Sequence, residues 1–164
     1  MSGNLITRSR GLLRSLLIYY GIPRRAARLR NFYAQFVPRG GLAFDIGSHV
    51  GNRIRAWRAL GARVVAVEPH PDLLRILRML YGRDEAVTIV AAAVAADEGE
   101  AKLLVDHGNL TVTTLSPEWA REVAEDAGFR RTRWRPVQTV PVTTLQALMA
   151  AYGVPDFVKI DVEG

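Results

Sequence analysis

The chain has no cysteine in its 164 residues, which excludes disulfides, thiolate metal sites and a cysteine nucleophile. A cytoplasmic setting is the expectation that agrees with this absence. Histidine is scarce: His49, His70 and His107 are scattered, with no His-x-x-x-His pair, and no metal site is expected. Long apolar runs are also missing. The best one, Leu12 to Tyr20, is broken by Arg14 and falls far short of the ~20 residues that span a bilayer, so no transmembrane helix is predicted. Acid is absent from residues 1–40, which carry eight arginines. The remaining 124 residues hold 14 basic groups against 16 acids, so the net charge of +6 belongs to the leading arm and the body is nearly neutral.

Length and an apolar content of 49% fit one hydrophobic core, preceded by a basic helical arm over 1–40. That arm reads first as a solvated helix pair packed on the domain, with a membrane surface, RNA or an acidic partner as alternatives. An arginine-rich start also matches the composition of a transit peptide, but Gly21-Ile22-Pro23 and the helical pattern up to Phe36 favour leading helices. The turn cluster Pro38-Arg39-Gly40-Gly41 marks the handover to a domain over 41–164.

From Leu42 onward, strand and helix signals alternate. Leu42 to Ile46 is an unbroken apolar run around one acid, closed by Gly47 and Gly51, with a helix over Asn52 to Leu60. Arg63 to Val67 is a second buried strand, and Pro71 opens a helix whose apolar face is Leu73, Leu74, Leu77 and Leu80. Val87 to Ala91 is a third strand, Ala101 to Val105 and Val137 to Val142 are further strand candidates, and Pro117 to Gly128 is a helix. Thr143-Thr144-Leu145-Gln146 reads as a helix start with a threonine cap, Gly153 ends that helix in a left-handed turn, and Phe157 to Asp161 is the last strand. Apolar strands between amphipathic helices predict an α/β, doubly wound, mostly parallel sheet.

The loop Asp45-Ile46-Gly47-Ser48-His49-Val50-Gly51 sits at the carboxyl end of the first strand, where open α/β sheets bind ligands. A dinucleotide would want Gly-x-Gly-x-x-Gly, so that its pyrophosphate rests on the helix amides. Ser48-His49 replace part of that pattern, and Asp45 would repel a pyrophosphate, so a cofactor without phosphate fits better. Glu68 follows Asp45 by 23 residues and closes the second strand, where an acid can accept hydrogen bonds from both ribose hydroxyls of an adenosine. The plain alternative is a surface carboxylate before a turn.

Four blocks, in this order, resemble the FkbM family of S-adenosylmethionine-dependent methyltransferases: Phe44 to Gly51, Val67-Glu68-Pro69-His70-Pro71, Ala92 to Gly99, and Val158-Lys159-Ile160-Asp161-Val162-Glu163-Gly164. The resemblance covers about three quarters of the chain. It implies a Rossmann-like methyltransferase fold with S-adenosyl-L-methionine as cofactor. It also implies that Asp45, Gly47 and Gly51 line the methionine and ribose side, that Glu68 holds the ribose, and that Ala92-Ala93 lies against the adenine. Ser48 and Pro69, within the matching blocks, count among the cofactor-binding candidates.

The family transfers methyl groups to hydroxyls, so the implied partner is a small-molecule acceptor, a sugar or secondary metabolite; nucleic acid is not expected. Lys159, Asp161 and Glu163 alternate and therefore share one face of their strand. They are the catalytic candidates: Asp161 or Glu163 either takes the hydroxyl proton or orients a substrate, and a salt-bridged strand end is the bland alternative. His49 and His70 are further base candidates but read first as exposed turn residues. Trp57, Trp119 and Trp134 read as packing residues, and Arg130 to Arg135 as a solvated basic loop.

Such methyltransferases carry three more strands after the one ending at Asp161. The chain is therefore expected to be a domain truncated after its fourth core strand, with weak cofactor binding and an apolar sheet edge prone to self-association. The competing functions are a non-catalytic or degenerate binding fragment that uses its basic arm, and a nicotinamide-dependent oxidoreductase.

Overall fold

The computed structural model describes residues 2–106, 113–124, 126, 132 and 134–162. Two helices, α1 (Ser2–Tyr20) and α2 (Arg25–Tyr33), precede the first strand. Strand and helix then alternate through β1 (Leu42–Ile46), α3 (Asn52–Ala59), β2 (Arg63–Val67), α4 (Pro71–Tyr81) and β3 (Val87–Val90). Past β3 come β4 (Ala93–Val94), β5 (Gly99–Val105), α5 (Pro117–Val123), β6 (Arg135–Thr143), α6 (Leu145–Tyr152) and β7 (Phe157–Ile160).

The first three long strands and the last form one parallel sheet in the order β3-β2-β1-β7. All of β1 and all of β2 after Arg63 are buried, which is why these segments read as nearly continuous apolar runs. From β1 the chain steps outward to β2 and β3, then returns to lay β7 on the other flank of β1. The boundary between β1 and β7 is thus a topological switch point, the place where an open α/β sheet leaves a crevice at its carboxyl ends. The α/β class with a mostly parallel sheet holds.

The middle of the chain is arranged differently. The expected strands after β3 do not extend the parallel sheet; β4, β6 and β5 make a separate one, in which β5 and β6 run antiparallel with an irregular step between Leu103 and Leu104. In β5 only Leu103 and Val105 are fully buried, the signature of a strand covered on one face. Just past β3, Ala93 and Val94 form the short strand β4, paired with Val142 and Thr143. The helix expected over Pro117 to Gly128 is capped by the Ser116 hydroxyl, which accepts from Trp119 N at 3.0 Å, and ends at Val123. Residues 125, 127–131 and 133, with part of the basic loop, lie outside the described residues, as does His107.

Local chemistry sets the helix ends. Thr144 Oγ1 accepts from Ala147 N at 3.0 Å and opens α6 as expected. Gly153 ends it with φ 98° and ψ 168°, an extended mirror-image conformation rather than the expected left-handed cap, and one that only glycine adopts freely. On α4, Leu73, Leu74 and Leu77 are buried, but Leu80 on the last turn is 43% exposed.

Side chains of β1 supply both faces. Leu42, Phe44 and Ile46 pack with Val65, Val67 and Leu148, while Ala43 joins Val64, Ile54, Leu77 and Trp57 on the other side. Tyr33 of α2 meets the fully buried Trp57 edge-on at 5.3 Å, so Trp57 is a packing residue as expected. A third cluster, built on Val50, Leu73, Leu103 and Val140, is covered by Leu12, Leu16, Tyr19 and Tyr20 of α1.

The contrast within α4 is testable by urea denaturation. Leu77→Ala is expected to cost ~2–5 kcal/mol, as for other buried leucines, and Leu80→Ala less than ~0.5 kcal/mol. Equal costs would refute the burial asymmetry of this helix.

Candidate functional site

The carboxyl ends of β1, β2, β3 and β7 converge on a cavity of about 250 Å³. Its walls include Ile46 and Gly47 after β1, Glu68 and Pro69 after β2, Ala92 and Ala93 after β3, and Asp161 and Val162 after β7. Opposite them stand Leu103 of β5 and the segment Thr113-Thr114-Leu115, with Tyr19 of α1 closing a side.

Glu68 is the centre of this arrangement. Its carboxylate is buried and held at both oxygens by backbone amides: His49 N donates to Oε2 at 2.8 Å and His70 N to Oε1 at 2.9 Å. One acid therefore ties the loop after β1 to the loop after β2. Each oxygen keeps a further lone pair, since a carboxylate offers about four acceptor sites. Burial pushes the Glu68 carboxyl up to about 7, against the lowering effect of the two amides.

The loop after β1 is shaped by positive φ at three positions: Gly47 at 76°, His49 at 51° and Gly51 at 77°. A Cβ on Gly47 would collide with the Asp161 carbonyl, and one on Gly51 would come within 2.6 Å of the Tyr81 ring. The Ser48 hydroxyl is spent locally, donating to Asp45 O at 2.7 Å. Tyr20 and Tyr81 clamp the end of the loop: their hydroxyls, 2.9 Å apart, face the carbonyls of Val50 and Gly51 at 2.8 Å each.

A second charged group braces the floor. Lys159 stands opposite Asp45 in the β1–β7 register, and its ammonium donates to Gly47 O at 2.8 Å and Ile46 O at 3.3 Å. The same ammonium stands 3.4 Å from Asp45 Oδ1 and 3.3 Å from Asp161 Oδ2. Asp45 is wholly buried and its carboxyl is raised, chiefly by desolvation, with Lys159 opposing. Asp161 is well exposed, and Arg53 in the first turn of α3 also reaches its Oδ2 at 3.3 Å.

Of the residues singled out from sequence, Gly47, Glu68, Pro69, Ala92, Ala93 and Asp161 line the cavity. Asp45, Ser48, Gly51 and Lys159 lie behind its wall, where they hold the loop and the strand ends, and Glu163 falls outside the described residues. The loop histidines are not exposed turns. His70 is fully buried and caps α4, its Nδ1 accepting from Asp72 N at 3.1 Å. His49 lines the cavity edge-on to Tyr19 at 5.2 Å, and burial lowers its imidazole to about 4, so it is neutral at working pH. Tyr19, Arg53, Leu103 and Thr113 to Leu115 were not singled out. Their only sequence signal was an aromatic pair ending an apolar helix and an arginine two residues past a glycine loop.

This glycine loop, the bridging Glu68 and the Lys159–Asp161 strand end all fall inside residues 45–164, the span matched by the model of the methyltransferase FkbM domain. The chain belongs to the FkbM methyltransferase family. No curated protein matches it. Among solved structures it is similar to a glycopeptide N-methyltransferase complexed with sinefungin, at 18% identity and a TM-score of 0.35 over 40% of this chain and 28% of that one. It is also similar to the C-terminal domain of a precorrin methyltransferase from Rhodobacter capsulatus, at 23% identity and a TM-score of 0.34, over 44% of this chain and 50% of that one. The chain thus spans half or less of these solved chains. Among the described residues of this FkbM domain, no cluster of three His, Asp or Glu suits a metal ion, and no helix is long and apolar enough to cross a membrane.

The brace makes a stability prediction. Lys159→Met leaves the Asp45 carboxylate buried beside no cation of comparable reach and is expected to cost ~3–5 kcal/mol in chemical denaturation. Adding Asp45→Asn should restore part of that loss; a double variant no more stable than the single one would show that Lys159 acts only through the carbonyls of the loop.

Proposed function

We propose that this FkbM domain binds S-adenosylmethionine in the cavity at the β1–β7 switch point and methylates a hydroxyl oxygen of a small molecule, a sugar or secondary metabolite. One observation carries the reading: the Glu68 carboxylate, fixed by two amides at the cavity wall, retains lone pairs for two further donors. A ribose diol supplies two donors at that spacing. Gly47 brings the backbone close without a side chain, and the small Ala92 and Ala93 leave room for a flat base.

S-adenosylmethionine supplies a methyl group on a sulfonium. Around that methyl, the residues of the chain position and neutralise. When bound, the cofactor would give its methyl to the acceptor oxygen and keep the electron pair of the broken carbon–sulfur bond, so that the chain itself would have to take up the hydroxyl proton. Asp161 is the proposed group at the acceptor oxygen: Lys159 and Arg53 hold its Oδ2, and its Oδ1 has no hydrogen bond among the described residues. Glu163, two residues on, shares the proposed role. Alignment of the reacting atoms would account for most of the rate, and the buried brace under Gly47 holds the loop that would do the aligning.

Calorimetry and thermal shift with S-adenosylhomocysteine test the reading. The wild-type chain is expected to be stabilised by the ligand, and Glu68→Ala to lose about a hundredfold or more in affinity, the worth of two hydrogen bonds to a charged acceptor. Because diol donors favour the ionised carboxylate and Glu68 titrates at about 7, affinity should rise between pH 6 and 8, by at most ~tenfold per pH unit. The ligand-free fold has the opposite sign. A carboxyl raised from 4.5 to about 7 favours the folded state most at low pH, and that contribution is lost as pH rises through 7. A chain that gives no heat with S-adenosylhomocysteine, yet melts cooperatively, would overturn the assignment.

A further inference from the structure

Helix α1 is apolar on two sides. Inward it lays Leu12, Leu16, Tyr19 and Tyr20 over the cluster around Val50 and Leu73. Outward it presents Leu13 and Leu17, 58% and 60% exposed, together with Ile18 and, just past the helix, Ile22. At ~100° per residue, Leu13, Arg14, Leu17 and Ile18 fall within one sector of about 140°, so the arginine stands among the apolar side chains rather than opposite them. An exposed apolar strip on a helix already buried along its other side calls for an occupant.

Charge narrows what that occupant is. Residues 1–40 contain eight arginines and no acid, and Arg14, Arg24, Arg28 and Arg30 are exposed. A second copy would bring the same positive charge to the contact and be repelled. RNA would satisfy the guanidinium groups but leave the leucines wet. An anionic bilayer satisfies both, because apolar side chains enter the headgroup boundary while arginines snorkel to the phosphates.

We propose that α1 lies along the surface of an anionic membrane, with Leu13, Leu17 and Ile18 inserted at the acyl boundary and Arg14 and the arginines beyond the helix paired with lipid headgroups. The contact is peripheral: no helix among the described residues can cross the bilayer. Tyr19 lies on the opposite side of the helix, and the Tyr20 hydroxyl is held on the Val50 carbonyl beside Tyr81, so the loop that Tyr20 and Tyr81 clamp stays intact.

Vesicle flotation of the 164-residue chain tests this, using phosphatidylcholine alone and phosphatidylcholine mixed about three to one with phosphatidylglycerol. Binding to the anionic vesicles is expected to exceed binding to the neutral ones by roughly tenfold or more and to weaken in about 0.5 M salt. The double variant Leu13→Glu, Leu17→Glu should lose about tenfold of that binding while keeping the wild-type melting temperature and circular dichroism, since both side chains are more than half exposed and belong to none of the three buried clusters. Equal binding by wild type and this variant would overturn the proposal, as would retention on an RNA oligonucleotide without vesicle binding, or a lipid-free dimer that the same variant dissociates.

Discussion

The site depends on one carboxylate spanning two loops. Glu68 accepts from His49 N and His70 N, so the turn leaving β1 and the turn entering α4 are fixed relative to each other by a group that belongs to neither helix nor strand interior. Burying an acid is costly unless its lone pairs are met. Two amides meet half of them, and the rest face the cavity. The raised carboxyl reflects burial that the two amides only partly offset, and the proposed pair of ligand hydroxyls would complete the set.

Beneath that bridge, Lys159 makes the β1–β7 junction more than a pair of strands. Its ammonium meets the last carbonyl of β1, the Gly47 carbonyl, Asp45 and Asp161, so strand register, loop conformation and the position of the exposed carboxylate are coupled. A shift of β7 by one residue would turn Lys159 to the other face and strand Asp45 in an apolar interior. Gly47 reinforces the same coupling sterically, because the Asp161 carbonyl occupies the space a side chain would need. The acid in the first strand thus has its cationic partner in Lys159, two positions before Asp161.

The range of the forces involved decides which features were legible in the sequence and which were hidden. The parallel strands and their helices were readable because burial on both faces writes itself into continuous apolar runs, and because Pro71, Thr144 and the glycines act locally. Gly47, Glu68 and Asp161 were readable as a set since strand ends in this topology share one edge. Whether a named residue faces the cavity or stands behind it was not readable, as Asp45 and Lys159 show: a two-residue period fixes the face but not how far the side chain reaches. The separate β4-β6-β5 sheet was also hidden, because pairing partners such as Glu100 and Pro141 lie far apart in sequence and nothing local announces them. His70 escaped notice as a cap because its ring plays the part usually taken by serine or threonine.

The arm is set off from the body by composition but joined to it by packing. Its arginines set it apart from a nearly neutral body, yet its apolar residues join it to that body: Tyr33 and Val37 sit in the cluster around Trp57, and Tyr19 is part of the cavity wall. Tyr20 and Tyr81 tie α1 to α4 across the carbonyls of Val50 and Gly51, the end of the loop that shapes the site. Because α1 supplies cover for Val50 and Leu73, any force that lifted the helix would uncover that cluster and open the cavity at Tyr19. The exposed outer face and the site within are therefore two sides of one helix.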